Sequence, residues 1–111
     1  MTPNKVIEIV DKTKFNAYDD ETKLGWISKL DGMVKRLVMQ EEDFKPYAYP
    51  DDMDTELLIP FPFDDVYQLY VSSMIDYSNR EYDNYNNSAM MFEQQFAEYK
   101  KAFIRQHPAK G

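Results

Sequence analysis

The chain has 111 residues, with 20 acidic and 13 basic side chains, a net charge of −7, one histidine and no cysteine. That length predicts one helical domain over 1–111, able to bury roughly 60–70% of its unfolded surface. The lack of cysteine removes disulfides, thiolate metal sites and cysteine nucleophiles, and the acidity speaks against phosphate-backbone binding, which relies on clustered Lys and Arg.

The first residues, MTPNK, lack the basic and apolar regions of a secretory signal. No apolar run approaches the ~18 residues of a membrane span. A soluble protein, cytosolic at synthesis and without membrane contact, is expected.

Thr2-Pro3 reads as a helix start, a hydroxyl cap with proline in the first turn. Val6, Ile7, Ile9 and Val10 give a short helix over about 2–11 its apolar face. Asp19 is the next cap, and Asp20 and Glu21 suit the positive end of a helix dipole. Leu24, Ile27, Leu30, Val34 and Leu37 then recur at three- and four-residue steps, predicting an amphipathic helix over 19–39. Gly25 and Gly32 within it are expected to mark the close approach of another helix.

Residues 40–63 differ in kind. They hold Pro46, Pro50, Pro60 and Pro62 and the apolar runs YAY and LLIPFPF. Over 41–65 nine acids face Lys45 alone, a net −8 that leaves the rest of the chain at +1. An ordered, protruding acidic loop is expected, with short extended pieces at 47–49 and 57–59 as an option that the prolines restrict.

Asp64-Asp65 supply the next acidic start, and Val66, Tyr70, Ser73 and Tyr77, widened by Tyr67, Val71, Met74 and Ile75, predict a helix over 64–83. The YDNYNNS run at 82–88 interrupts it, and Asn86 or Asn87 is the expected cap of a last helix over 88–106. One continuous helix from 64 to 106 is the alternative. Ala89, Phe92, Phe96, Tyr99 and Phe103 form the inward seam of the last helix. Lys100, Lys101 and Arg105 complement its negative end, Pro108 stops it, and Lys110 extends a basic tail. The fold class is therefore all-α, a small bundle of about four helices with a long acidic proline-rich loop.

Chemistry-bearing patterns are scarce. His107, the only histidine, precedes Pro108 at a helix end, and no glycine-rich phosphate loop, H-E-x-x-H or G-x-S-x-G pattern occurs. Asp52, Asp54 and Glu56 imitate the start of a calcium loop, but Leu57 stands where it needs Gly and Phe63 where it needs Glu. No catalytic residue, cofactor or metal is expected, and the chain reads as a non-enzyme. Six of the nine tyrosines lie between Tyr67 and Tyr99. Their rings are apolar along the body and polar at the tip, which suits packing and assembly more than turnover.

The segments TPNKVIEIVDKTKFNAYDDETKLGWISKLDG and DMDTELLIPFPFDDVYQLYVSSMIDYSNREYDNYNNSAMMFEQQFAEYKK carry a further signal. The pattern D-T-E-L-L-I-P-x-P-[FY]-D-D followed by I-D-Y-x-N-x-E-Y-x-x-Y-N-N resembles a family of small proteins of tailed phages from Gram-positive hosts. Such proteins resemble head–tail connectors, or adaptors, whose helical subunits form a ring beneath the portal. The resemblance implies a structural virion protein, made in the bacterial cytoplasm and placed at the head–tail interface. Its implied partners are the portal, neighbouring copies of itself and a tail-side connector or stopper, with DNA passing through unbound. Under that reading Asp51, Asp52, Asp54, Glu56, Leu57, Leu58 and Phe61 of the loop contact a neighbour or line the channel. Tyr82 and Tyr85 make subunit contacts, and Lys100, Lys101 and Arg105 dock the last helix on the portal. The competing classes are a DNA-packaging accessory protein and a small helical interaction module that forms no ring.

Overall fold

A computed structural model describes residues 1–107 and, among them, four helices and no strand. The proline stop at Pro108 and the tail residue Lys110 lie outside the described residues.

Helix α1 spans Pro3–Thr13 and is capped as its sequence predicts, with Thr2 Oγ1 accepting from the Lys5 N–H (3.2 Å). It runs two residues past the expected end. The Thr13 hydroxyl donates back to Ile9 O, and Lys12 pairs with Glu8 one turn earlier. Val6, Ile7 and Val10 are buried.

Helix α2 spans Asp20–Met33, started by Asp19 Oδ1 accepting from the Thr22 N–H (2.8 Å). It continues as a π-helical turn, Val34–Val38, in which Met39 N–H reaches back to Val34 O. The wider turn breaks the three-and-four spacing. Val34 stays buried, while Leu37, expected in the same stripe, is 68% exposed. The expected helix–helix contact at the glycines is also absent. A Cβ at Gly25 would meet nothing, and Gly32 faces the Phe44 ring at 3.3 Å.

Residues 39–65 carry no helix and do not protrude. Met53, Leu57 and Ile59 enter the core, and Tyr47, Leu58 and Phe63 pack against it. Backbone groups here find partners outside any ladder: Asn4 N–H donates to Met53 O, Leu57 N–H to Met1 O and Tyr47 N–H to Ser28 Oγ. The optional extended pieces at 47–49 and 57–59 do not pair. The Tyr49–Pro50 and Phe61–Pro62 bonds are cis.

Helix α3, Val66–Ser78, starts two residues later than its acids suggest and buries Val66, Tyr67, Val71 and Ile75. The chain then reverses at Asn79, Arg80 and Glu81, earlier than the asparagine-rich run. Glu81 N–H donates to Asp76 O and Arg80 N–H to Tyr77 O, with Arg80 in the left-handed region at φ 60°. This is a Schellman ending, which satisfies the last carbonyls of α3. Helix α4 occupies Tyr82–Gln106, so Asn86 and Asn87 are exposed helical residues and not caps. It returns antiparallel along α3 and buries Tyr99, with Phe92, Phe96 and Phe103 half-buried against the core.

Candidate functional site

The most enclosed polar site is built on Asp31, which has no exposed surface. Its Oδ2 accepts from the Tyr47 hydroxyl (2.6 Å) and the Leu58 N–H (3.2 Å), and its Oδ1 accepts from the Tyr67 hydroxyl. Tyr67 Oη in turn accepts from the Ile59 N–H (2.8 Å). One carboxylate on α2 thus joins α3 to two separate stretches of the 39–65 segment. Burial pushes the Asp31 carboxyl above its ordinary value, against the opposing pull of its three donors. Burial and the neighbouring carboxylate likewise push both tyrosine hydroxyls far above theirs, so both remain donors. With every buried polar side-chain atom partnered within the chain, this arrangement can hold a fold together.

Two further interior charges are also tied within the chain. Asp76, fully buried on α3, accepts from Lys14 Nζ (2.7 Å) and from the Ser88 hydroxyl (3.1 Å), joining α1, α3 and α4. Lys23, 2% exposed, donates to Asp11 (2.7 Å). Burial raises the Asp11 carboxyl, but donation from Lys23 and Asn16 outweighs it and holds the group below its ordinary value. Among the described residues no group of three His, Asp or Glu side chains could hold a metal ion.

The residues expected at partner contacts do not form one site. Asp52 folds its own turn, accepting from the Ala48 N–H (2.6 Å) and the Thr55 hydroxyl. Asp54 accepts from Asn4 Nδ2 (2.7 Å), and Glu56 pairs with the Met1 ammonium (2.8 Å), so both anchor the start of α1. Leu57 is 4% exposed and belongs to the core, which overturns its assignment as a contact residue. Leu58 is half-buried with its N–H committed to Asp31. Asp51 and Phe61 are exposed, Phe61 to 84%, as are Asp54 and Glu56 despite their ties to the start of α1.

Phe61 instead joins the C-terminal end of α4. Together with Met39, Leu58, Phe63, Tyr99 and Phe103 it lines a groove of about 320 Å³. Lys100 lies over the Phe96 ring (5.2 Å to the centroid), Lys101 reaches Glu98 (3.5 Å), and Arg105 is exposed. Tyr82 and Tyr85 are at the opposite end of α4, both against Tyr77.

Sequence reasoning missed Asp31, Phe15, Met39 and Ile104. The signal for Asp31 was there: Leu24, Ile27, Asp31 and Val34 follow a three-four-three spacing, which places an acid in an apolar seam. No pattern marks Phe15, which is 98% exposed in the α1–α2 connector.

The chain matches no protein-family model, and neither the curated proteins nor the solved structures hold a significant match to it.

Proposed function

We propose that this chain is a structural assembly subunit without catalytic activity, a head–tail connector (adaptor) that forms a ring of copies below the portal of a tailed phage. In this role its partners are the portal, neighbouring copies and a tail-side connector or stopper. The assembled protein resides in the virion, and DNA passes through the acidic ring unbound. The observation that carries the reading is the division of labour among its side chains. The interior charged groups Asp31, Asp76 and Lys23 are tied to partners within the chain, while large apolar side chains such as Phe15, Phe61, Leu37 and Ile104 are left in solvent. Exposed apolar surface on a small helical body is the mark of a component that meets partners. The motif resemblance supplies the particular assembly.

The 51–62 segment supports this role less broadly than its composition implies. Asp52, Asp54 and Glu56 are bonded within the chain, although Asp54 and Glu56 remain exposed alongside Asp51 and Phe61.

Native mass spectrometry of the purified chain, alone and mixed with portal protein, tests the proposal. Multiple copies should gather on the portal. A chain that stays monomeric and ignores the portal overturns the connector reading in favour of a single-partner interaction module. Retardation of duplex DNA at low salt would favour the packaging alternative.

A further inference from the structure

Helix α4 is joined to the body chiefly through one neighbouring helix. It packs along α3, with residues 58–63 beside its last turns, and of its 25 residues Tyr99 alone is buried. Across this seam the Ser88 hydroxyl donates to Asp76 (3.1 Å) and Gln95 Nε2 to Asp65 (2.8 Å). Two ring pairs accompany them, Tyr70–Phe92 (5.2 Å) and Phe63–Tyr99 (6.0 Å between centroids). All four ties centre on residues 80–82, as an antiparallel hairpin closed by a corner at 79–81 requires.

That corner holds Arg80 at φ 60°, a left-handed conformation that its Cβ opposes. The covalent chain does not demand a bend, since neither proline nor glycine occurs between Val66 and Gln106. The apolar stripe also runs straight through. From Ile75 the steps to Ser78, Tyr82, Tyr85, Ala89 and Phe92 alternate three and four, which joins the buried face of α3 to the seam of α4 in one phase. Bent at 79–81, the chain leaves the middle of this stripe uncovered: Tyr77 and Tyr82 are each 54% exposed.

We infer that the 79–81 corner is a hinge and that α4 is an arm exchanged between two copies of this chain. With Asn79, Arg80 and Glu81 in helix, α3 and α4 become one helix and α4 leaves its own body. The surface it uncovers, on α3 and Phe63, is complementary to α4 in each tie described above, so its occupant is α4 of a second copy. Reciprocal exchange remakes those ties between chains, related by a two-fold axis through residue 81. It adds two things the single chain lacks. Arg80 leaves the left-handed region, and the exposed tyrosines beside the axis meet their counterparts in the other copy. The entropy of association opposes both, so exchange rises with concentration. The inference goes beyond the connector reading and does not rest on it.

The natural lack of cysteine makes the test direct. Asp65→Cys and Gln95→Cys in one chain put thiols on facing sides of the seam, where the parent side chains touch. The full chain is refolded from urea at high concentration, separated by size exclusion, and each fraction is treated with a short bis-maleimide. Monomer should be linked within the chain, whereas the dimer fraction should run as a covalent dimer on a denaturing gel. In the chain without cysteines, Arg80→Gly suits the bend and disfavours helix, and should cut the dimer share by about tenfold. Asn79→Ala with Arg80→Ala favours helix over the bend and should raise it by about tenfold. Circular dichroism confirms that each variant is folded. Absence of dimer in both the parent and the alanine variant, a dimer linked only within its chains, or a dimer share indifferent to the corner overturns the exchange. The connector reading is judged separately, by whether copies gather on the portal.

Discussion

The Tyr67 hydroxyl lies 2.5 Å from Asp31 Oδ1 while accepting the Ile59 N–H at 2.8 Å, so one oxygen serves as donor to a buried carboxylate and acceptor for a buried amide. Tyr67→Phe keeps the ring and its packing but leaves Ile59 N–H unpaired and Asp31 one donor short. A loss of about 3 kcal/mol in unfolding free energy is expected, read from urea unfolding curves. A loss near zero would show that the network contributes no stability.

Asp31 also sets a pH dependence. Its carboxyl sits above its ordinary value in the folded chain, chiefly through burial. Between the unfolded and folded pKa values the native state keeps a proton that the unfolded state has released. Stability from this group is therefore full below the unfolded pKa and falls as pH rises through the folded value. Asp31→Asn should lower stability at every pH, because its amide nitrogen is a donor facing donors. It should also remove this component of the slope, as measured by denaturation midpoints across acidic to neutral pH. An unchanged slope would place the titrating group elsewhere.

Arg80 holds φ at 60° with an exposed side chain, solely because the α3–α4 reversal needs a left-handed residue there. Glycine adopts that conformation without the Cβ clash. Arg80→Gly should leave the corner intact and raise stability by up to about 1 kcal/mol, visible as a higher midpoint of thermal unfolding.

The 39–65 segment predicts a contrast between neighbours. Leu57→Ala opens a cavity in the core and should destabilise by about 3 kcal/mol, given its 4% exposure. Asp51→Ala, at an exposed turn position, should stay within about 0.5 kcal/mol of the parent chain. Chemical denaturation of the pair distinguishes a segment that is part of the core from one that merely crosses it. Equal small effects would mean the latter.

Helix existence and several starts were legible because they rest on local chemistry. Thr2 and Asp19 cap through their own side chains, three residues from their acceptors' partners, and that geometry needs no tertiary context. The α4 seam was legible for the same kind of reason, since Phe92, Phe96, Tyr99 and Phe103 recur at helical spacing and do face inward. The α3–α4 corner was not. Asparagine-rich composition favours a break at 82–88, but packing of Ser88 on Asp76 and Gln95 on Asp65 holds that run in helix, and the reversal falls to Asn79–Glu81.

What the sequence by itself determined, then, is an all-helical chain, its capped starts, its charge imbalance and the aromatic supply of its second half. Each follows from residue type and near-neighbour spacing. Tertiary structure decided what those residues are for. Residues 39–65 look like an exposed acidic loop, yet Leu57 and Ile59 are core, because the Met1 carbonyl, Asp31 on α2 and Tyr67 on α3 give the backbone amides of Leu57, Leu58 and Ile59 the partners a lone loop lacks. That is a relation between elements far apart in the chain, and no local pattern records it.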